Sequence, residues 1–124
     1  MATINNYIRS ELNIVDQRGA SWVPFTFTCN NENGNLIDWS TAQEIRADVM
    51  NSIGTIVASF TAGDGLTIKE GVPTELVMEK PANRKDLPPG VYHWDLLVQF
   101  TNEVAQCPVG GSYVVKDRVT IKTV

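Results

Sequence analysis

One histidine and one aspartate stand close enough in the sequence to form an acid–base pair. His93 and Asp95 are separated by a single residue, and on a β-strand such residues share one face, where their side chains could contact each other. A hydrolytic site also needs a nucleophile, and no serine or cysteine of the chain stands in a motif such as GxSxG. The pattern therefore indicates a solvated strand face, and we expect that the protein is not an enzyme.

The residues that could bind a metal ion do not form a recognisable site. Residues 63–65, with Glu70 nearby, lack the alternating acidic positions of a calcium loop. Cys29 and Cys107 form no CxxC pair, and a single histidine cannot complete a zinc site of cysteines and histidines. The glycines at residues 110–111 lack the following helix that a phosphate-binding loop requires. We therefore expect neither a metal ion nor a cofactor, and no disulfide bond in a cytoplasmic chain.

Two tryptophans are the strongest candidates for binding a small ligand. Exposed indole rings can form a stacking platform for sugars, so Trp22 and Trp39 indicate a carbohydrate-binding module as an alternative function. The competing interpretation is that these rings pack in the interior, because tryptophan buries a large apolar area. Saturable glycan binding that is lost on replacement of either tryptophan would favour the platform.

The stretch at residues 87–100 positions His93 and Asp95. It begins with a rigid turn, and its side chains then alternate between an apolar face and a mixed face. A period of two with one wholly apolar face is typical of a β-strand that covers a core. The predicted inward residues are Tyr92, Trp94, Leu96, Val98 and Phe100, and the outward residues are Val91, His93, Asp95, Leu97 and Gln99.

Short alternating segments of this kind recur along the whole chain, with turns about every ten residues. We predict about eight or nine short strands, no long helix, and therefore an all-β, immunoglobulin-like antiparallel β-sandwich. We expect residues 7–124 to form this single domain and residues 1–6 to form a flexible N-terminus. The first two strands are predicted at residues 7–15 and 21–29, with a turn at residues 16–19 between them. Near the C-terminus we predict separate strands at residues 104–108, 113–115 and 118–121, divided by the glycines at 110–111.

The start of the central strand has the shape of a tyrosine corner. In immunoglobulin-type sandwiches, a tyrosine near the start of one strand donates a hydrogen bond back across the turn before it. Tyr92 follows a Pro-Pro-Gly turn at residues 88–90, so we expect its hydroxyl to bond to the backbone of that turn. The corner supports the immunoglobulin-like sandwich.

Composition and charge exclude several classes of protein. A chain of 124 residues, with 43% hydrophobic and 19% charged residues, is long enough for one domain with its own core. The net charge of -4 argues against a protein that follows a nucleic-acid backbone, which needs clustered lysine and arginine. No apolar run is long enough to span a membrane, and the N-terminus lacks the basic and apolar regions of a signal peptide. We therefore expect assembly in a cytoplasm, with no nucleic-acid or membrane partner.

A series of short motifs extends from residue 8 to residue 121. They are DQRG at 16–19, NG at 33–34 with IDW at 37–39, the segment 42–49, the Leu76/Met78 strand with a turn at 82–87, PGVYHWDL at 89–96, GGSYVV at 110–115 and VT at 119–120. In these motifs the chain resembles small β-sandwich structural proteins and domains of tailed bacteriophages and prophages, of the baseplate upper protein N-terminal and tail-fibre types. The resemblance implies a virion structural protein, assembled in the bacterial cytoplasm, that docks other virion structural proteins without catalytic residues.

An open sandwich leaves edge strands whose backbone groups pair readily with another chain. Residues 54–60 carry neither a charge nor a proline, and symmetric assemblies bury such apolar patches between repeated copies. We therefore predict a homo-oligomer joined through a sheet edge or a sheet face. The alternative is that the second sheet of the same domain covers these residues. The candidate interface consists of Ile56, Val57, Ala58, Phe60, Val91 and Leu97.

Overall fold

The structure is a computed structural model that describes residues 10–18, 24–31, 33–80, 87–101 and 105–117. Within these ranges the chain forms nine β-strands and one turn of 3-10 helix, and no helix is long and apolar enough to cross a membrane. The predicted flexible N-terminus and the strand predicted at 118–121 lie outside the described residues. The elements are β1 (Ser10–Glu11), β2 (Ile14–Gln17), β3 (Phe25–Phe27), the 3-10 helix (Trp39–Thr41), β4 (Ala42–Met50), β5 (Ile56–Ala62), β6 (Gly65–Ile68), β7 (Leu76–Met78), β8 (Gly90–Phe100) and β9 (Gln106–Lys116).

The strands form two half-sheets that meet along one side. The large half-sheet has the order β1-β9-β8-β4-β5, with β2 following β1 along β9, and the small half-sheet has the order β6-β7-β3. A ladder of only two residue pairs, Thr61 with Gly65 and Ala62 with Leu66, joins β5 to β6. Strands β9, β8 and β4 are adjacent in one half and β7 and β3 in the other, as in an immunoglobulin-type sandwich. The predicted all-β, immunoglobulin-like fold is confirmed.

Three strand pairs depart from the predicted antiparallel pattern. Strands β1 and β2 run parallel to β9, and β5 runs parallel to β6, whereas the other five pairs are antiparallel. Regular parallel neighbours need a long connection between them, and β1 and β2 meet β9 from opposite ends of the chain. The β5–β6 pair is different, because its two residue pairs lie across the tight turn at residues 63–64. Side-chain alternation identifies a strand but carries no information about the direction of its neighbour.

The core lies between the half-sheets and includes the inward row of β8. Trp94, Leu96 and Val98 are fully buried, and Tyr92 and Phe100, at the two ends of the predicted row, are half-buried. The tyrosine corner is also present, because the Tyr92 hydroxyl donates to the carbonyl oxygen of Pro88 at 2.7 Å. The remaining buried side chains of the core cluster are Ile14, Cys29, Ile37, Trp39, Ile45, Ala47, Val49, Phe60, Leu66, Leu76, Met78, Val109, Tyr113 and Val115.

The prediction that glycines divide the C-terminal strands is wrong. Gly110 and Gly111 lie inside β9, a single strand of 11 residues. Pro108 also lies within β9, where the register with β8 shifts, and such a bulge tolerates a residue without an N–H group. A Cβ on Gly111 would collide with the carbonyl oxygen of Leu12. The glycine is therefore required because the link between β1 and β2 passes directly over β9.

We expect Gly111→Ala to lower the free energy of unfolding by about 1–3 kcal/mol, because the added methyl group forces Leu12 away from β9. Gly90→Ala is the matched control, since a Cβ on this glycine of β8 meets nothing within 4 Å. Urea denaturation followed by tryptophan fluorescence would measure both variants. Equal stabilities would contradict the steric role of Gly111.

Candidate docking surface

The large half-sheet turns one face toward the core and the other away from it. On β4, Ala47 and Val49 are fully buried, whereas Arg46, Asp48 and Met50 are half-buried. Residues that lie opposite each other on paired strands share a face, so the strand register extends this assignment across the half-sheet. We call the face that carries Met50 the outer face.

The predicted acid–base pair lies on the outer face. His93 is exposed and stands opposite Met50, and Asp95 is half-buried and stands opposite Asp48. In the part of the chain that the structure describes, no group of three or more histidine, cysteine, aspartate or glutamate side chains is arranged to hold a metal ion. On the neighbouring strand β4, His93 faces the Met50 thioether and Asp95 faces the Asp48 carboxylate.

Asp48 organises the polar part of the outer face. Its Oδ1 atom accepts hydrogen bonds from Arg46 Nε and from the Ser59 hydroxyl, both at 2.7 Å. The hydrogen bond from Arg46 to Asp48 and the charge of that carboxylate raise the pKa of Arg46 above its ordinary value. The Ser59 hydroxyl donates to the same oxygen that accepts from Arg46. Because Ser59 lies on β5 and Asp48 on β4, this bond holds the two strands together.

The buried thiol of Cys29 is unsuited to nucleophilic chemistry. Cys29 and Cys107 both carry thiols. Burial raises the pKa of Cys29 to about 11, so the thiol stays protonated at neutral pH. Because the thiolate is the reactive form, Cys29 acts as a small apolar residue of the core.

The alternative in which Trp39 forms an exposed sugar platform is wrong, and the competing interpretation, packing in the interior, is correct for this residue. Its side chain is 0% exposed, its Nε1 atom donates to the carbonyl oxygen of Thr74 at 3.0 Å, and its ring meets Phe27 edge to face. The cause is local, because the Asp38 carboxylate caps the 3-10 helix and Ile37 and Trp39 both turn into the core. Trp22 lies outside the described residues, so its part of that prediction stays untested.

Two residues of the candidate interface face the domain's own core. Phe60 is 0% exposed and stands opposite Ala47, and half-buried Ala58 stands opposite Val49. Both partners on β4 point inward, so Phe60 and Ala58 do so as well. The prediction that Phe60 belongs to an interface is wrong, and the open alternative, burial within the domain, is the correct one for this residue.

A β-bulge turns the beginning of β5 toward the outer face. Val49 pairs with Ala58, but Met50 pairs with Ile56, so Ile56 and Val57 together oppose Met50. Simple alternation assigns Ile56 to the same face as Phe60, and the extra residue reverses this assignment. Ile56 is accordingly 48% exposed, and Val57 is half-buried.

Three valines form a row across neighbouring strands of the outer face. Val15 of β2 pairs with Val114 of β9, and Val114 pairs with Val91 of β8. Val15 is 55% exposed, Val91 is 63% exposed, and Val114 is half-buried. The exposure of Val91 was predicted from its alternation, whereas Val15 and Val114 were missed because they come together only through a parallel pairing. Leu97 also lies on the outer face, but it stands opposite Arg46, on the far side of the Asp95–Asp48 pair.

The turn between β4 and β5 adds the most exposed apolar side chain of this region. The Asn51 side chain accepts hydrogen bonds from the backbone N–H groups of Ile53 and Thr55, at 3.1 and 2.9 Å. Gly54 completes the turn with a φ of 84°, which favours glycine. Ile53 therefore stands in a fixed turn and is 83% exposed.

These side chains lie at one end of the large half-sheet, which we call the apolar end. Six large hydrophobic side chains of the described residues are exposed, and four of them belong to it, whereas Leu36 and Val72 lie elsewhere. Exposed apolar side chains that are grouped in this way mark an interaction site more often than isolated hydrophobic residues do. The apolar end consists of Val15, Met50, Ile53, Ile56, Val57, Val91 and Val114.

A buried ion pair fixes the strand that carries Val15. Asp16 and Gln17, predicted as part of a turn, belong to β2, and the Asp16 side chain points into the core. Its Oδ1 atom accepts from Lys80 Nζ at 3.0 Å, and its Oδ2 atom accepts from the Tyr113 hydroxyl at 2.7 Å. Lys80 follows β7, so the ion pair connects the two half-sheets. With Asp16 held inward, Val15 is directed to the outer face.

Comparison of the sequence with protein-family models gives no match, and comparison with curated proteins gives none either. The fold is similar to the crystal structure of CopC from Methylosinus trichosporium OB3b, with 13% identity, coverage of 92% of this chain and 89% of that chain, and a TM-score of 0.46. It is also similar to fibronectin(III)-like modules of Clostridium thermocellum CbhA, with 12% identity, coverage of 90% and 93%, and a TM-score of 0.37. Structural similarities as weak as these do not indicate the function of this chain.

Proposed function

We propose that this chain is a non-enzymatic structural protein of a bacteriophage or prophage virion, a docking module of the tail, the baseplate or a fibre attachment. The observation that supports docking is the apolar end, which gathers four of the six exposed large hydrophobic side chains of the described residues. The motifs between residues 8 and 121 that resemble phage sandwich domains support the virion as the setting. The module acts by protein–protein contact, without a cofactor, a nucleic acid or a membrane.

The apolar end suits docking because its backbone is held in place before a partner binds. β2 is held by the Asp16–Lys80 ion pair, and the β4–β5 turn is held by Asn51. A surface fixed in this way loses little conformational entropy on binding, so more of the contact energy appears as affinity. The proposed contact residues include three members of the predicted interface, Ile56, Val57 and Val91.

Particles induced from the bacterium that encodes this chain would test the proposal. We expect the wild-type chain to co-purify with tail structures at a fixed stoichiometry, measured by quantitative mass spectrometry. Val91→Glu is expected to reduce its incorporation by about tenfold or more, because an apolar contact would then bury an unpaired carboxylate.

Leu36→Glu is the matched control for this experiment. Leu36 is 53% exposed, close to the 63% of Val91, but it lies outside the large half-sheet, so its variant should be incorporated normally. Absence of the wild-type chain from purified particles would overturn the virion role. Equal loss of the two variants would overturn the assignment of docking to the apolar end.

A further inference from the structure

We propose that a second copy of this chain covers the apolar end, packed face to face with its strands running in the opposite direction. This inference rests on the docking function proposed above and names the partner. The argument depends on the order of residues across the outer face, which the strand register divides into rows. From one end of the face inward, these are a basic row (Gln17, Lys116), a valine row (Val15, Val114, Val91), a mixed row (Ser112, His93, Met50, Ile56) and an acidic row (Glu11, Gly110, Asp95, Asp48, Ser59).

The charges on this face lie on either side of the apolar end. The valine row and the mixed row contain no lysine, arginine, aspartate or glutamate. Lys116 is exposed in the basic row, and the carboxylates of Asp95 and Asp48 stand opposite each other in the acidic row. A partner that fits this face is therefore apolar in the middle, acidic above Lys116 and basic above the two carboxylates.

The chain itself meets this description when it is turned by a two-fold axis. Successive rows on one face are two residues apart, about 7 Å along the strands. An axis across the strands, between the valine row and the mixed row, places the basic row of each copy over the acidic row of the other. The valine row of each copy then packs on the mixed row of the other. The same patch serves both copies, as a closed two-fold dimer requires.

The second copy also places a positive charge beside the acidic row. Like charges directly opposite each other on paired strands destabilise a sheet, and Asp48 and Asp95 form such a pair. Arg46 already bonds to Asp48 at 2.7 Å. In this arrangement Lys116 of the second copy lies over Gly110 of β9, beside Asp95 of β8, and adds a positive charge there. The contact therefore stabilises the acidic row while it buries the apolar end.

Sedimentation equilibrium over a range from micromolar to millimolar concentration would test the dimer. We expect a concentration-dependent dimer, and we expect Val91→Glu to raise its dissociation constant about 10- to 100-fold by removing one buried valine contact. Leu36→Glu, at an exposed position away from the outer face, should leave the constant unchanged. A wild-type chain that stays monomeric at millimolar concentration would overturn this inference. The docking function would still stand if Val91→Glu lost incorporation into particles.

A charge exchange tests the opposite strand directions. Lys116→Glu and Asp95→Lys are each expected to weaken the dimer, because each places like charges against one another. The double variant carries both changes in one chain, so a glutamate of one copy again meets a lysine of the other, and most of the wild-type association should return. Circular dichroism would establish that all variants keep the fold. A double variant no stronger than either single variant would overturn the proposed arrangement.

Discussion

Replacement of Lys80 by methionine is expected to lower the free energy of unfolding by about 3–5 kcal/mol. The Lys80 ammonium lies 3.0 Å from Asp16 Oδ1, and the two side chains are only 8% and 4% exposed. Methionine keeps most of the volume of lysine but removes its charge. The Asp16 carboxylate would then remain buried without the counter-charge that Lys80 gives it, and an uncompensated buried charge is strongly destabilising. Urea denaturation would measure the loss.

Lys69→Met is the matched control for this substitution. Lys69 also pairs with a carboxylate, that of Glu75 at 3.5 Å, but these side chains are 50% and 29% exposed. Exposed ion pairs contribute about 0–1 kcal/mol, so this variant should remain close to the wild type. Similar losses at Lys69 and Lys80 would show that removing any lysine, and not the burial of Asp16, determines the effect.

A double variant separates the buried charge from lost packing. Asp16→Asn removes the charge but keeps a side-chain oxygen. In the wild type the Tyr113 hydroxyl donates to Asp16 Oδ2 at 2.7 Å, and the asparagine oxygen can accept the same hydrogen bond. Combined with Lys80→Met, Asp16→Asn leaves no charge in the core, so the double variant should be more stable than Lys80→Met alone. A double variant that loses the sum of both single effects would contradict the electrostatic explanation.

Local patterns in the sequence were sufficient for the parts of the fold that depend on a single strand. Alternation identified Trp94, Leu96 and Val98 as core residues, and all three are buried. The turn before Tyr92 identified the tyrosine corner, because this hydrogen bond spans only four residues. In both cases the residues that interact, or that share a face, are close in the sequence.

The candidate docking surface could be predicted only in part, because its residues come together through the register between strands. Val91 was assigned correctly from alternation alone. Ile56 was grouped with Phe60 in the candidate interface, although the two residues lie on opposite faces, since a bulge is invisible in an alternating pattern. Val15 and Val114 are neighbours through a parallel pairing between strands from opposite ends of the chain, and alternation gives no partner for either strand. Asp16 looked like a turn residue because its partners are remote in sequence.

The position of Val15, and thus the shape of the apolar end, depends on contacts made by β2 and the link before it. Asp16 holds the strand from within the core, and Leu12 lies over Gly111 of β9. The carbonyl oxygen of Leu12 accepts a hydrogen bond from Trp94 Nε1 at 2.8 Å, and the backbone N–H group of Leu12 donates to the carbonyl oxygen of Gly110 at 3.0 Å. Core residues of β8 and β9 therefore determine where an exposed valine of β2 is presented.

Trp94→Ala is expected to lower the free energy of unfolding by about 3–5 kcal/mol, through the lost burial of the ring and the cavity that remains. Trp94 is 1% exposed, so little of the removed surface was in contact with water. Trp94→Phe keeps much of the ring but removes the N–H group that donates to Leu12. It leaves a carbonyl oxygen without this donor, at a cost of about 1–3 kcal/mol. Urea denaturation would measure both variants.

Amide hydrogen exchange distinguishes a general loss of stability from the release of β2. In Trp94→Phe, the amides of Ile14 and Asp16 should exchange faster relative to those of β4, because the link that leads into β2 has lost its bond to the core. Trp39→Phe is the matched control, since it removes an equivalent bond from a buried indole, to Thr74 at 3.0 Å, in a different part of the fold. It should lower stability by a similar amount without selective exchange in β2. Equal protection of the β2 amides in both variants would contradict this explanation. The bond from Trp94 to Leu12 would then not be what holds β2 and Val15 in place.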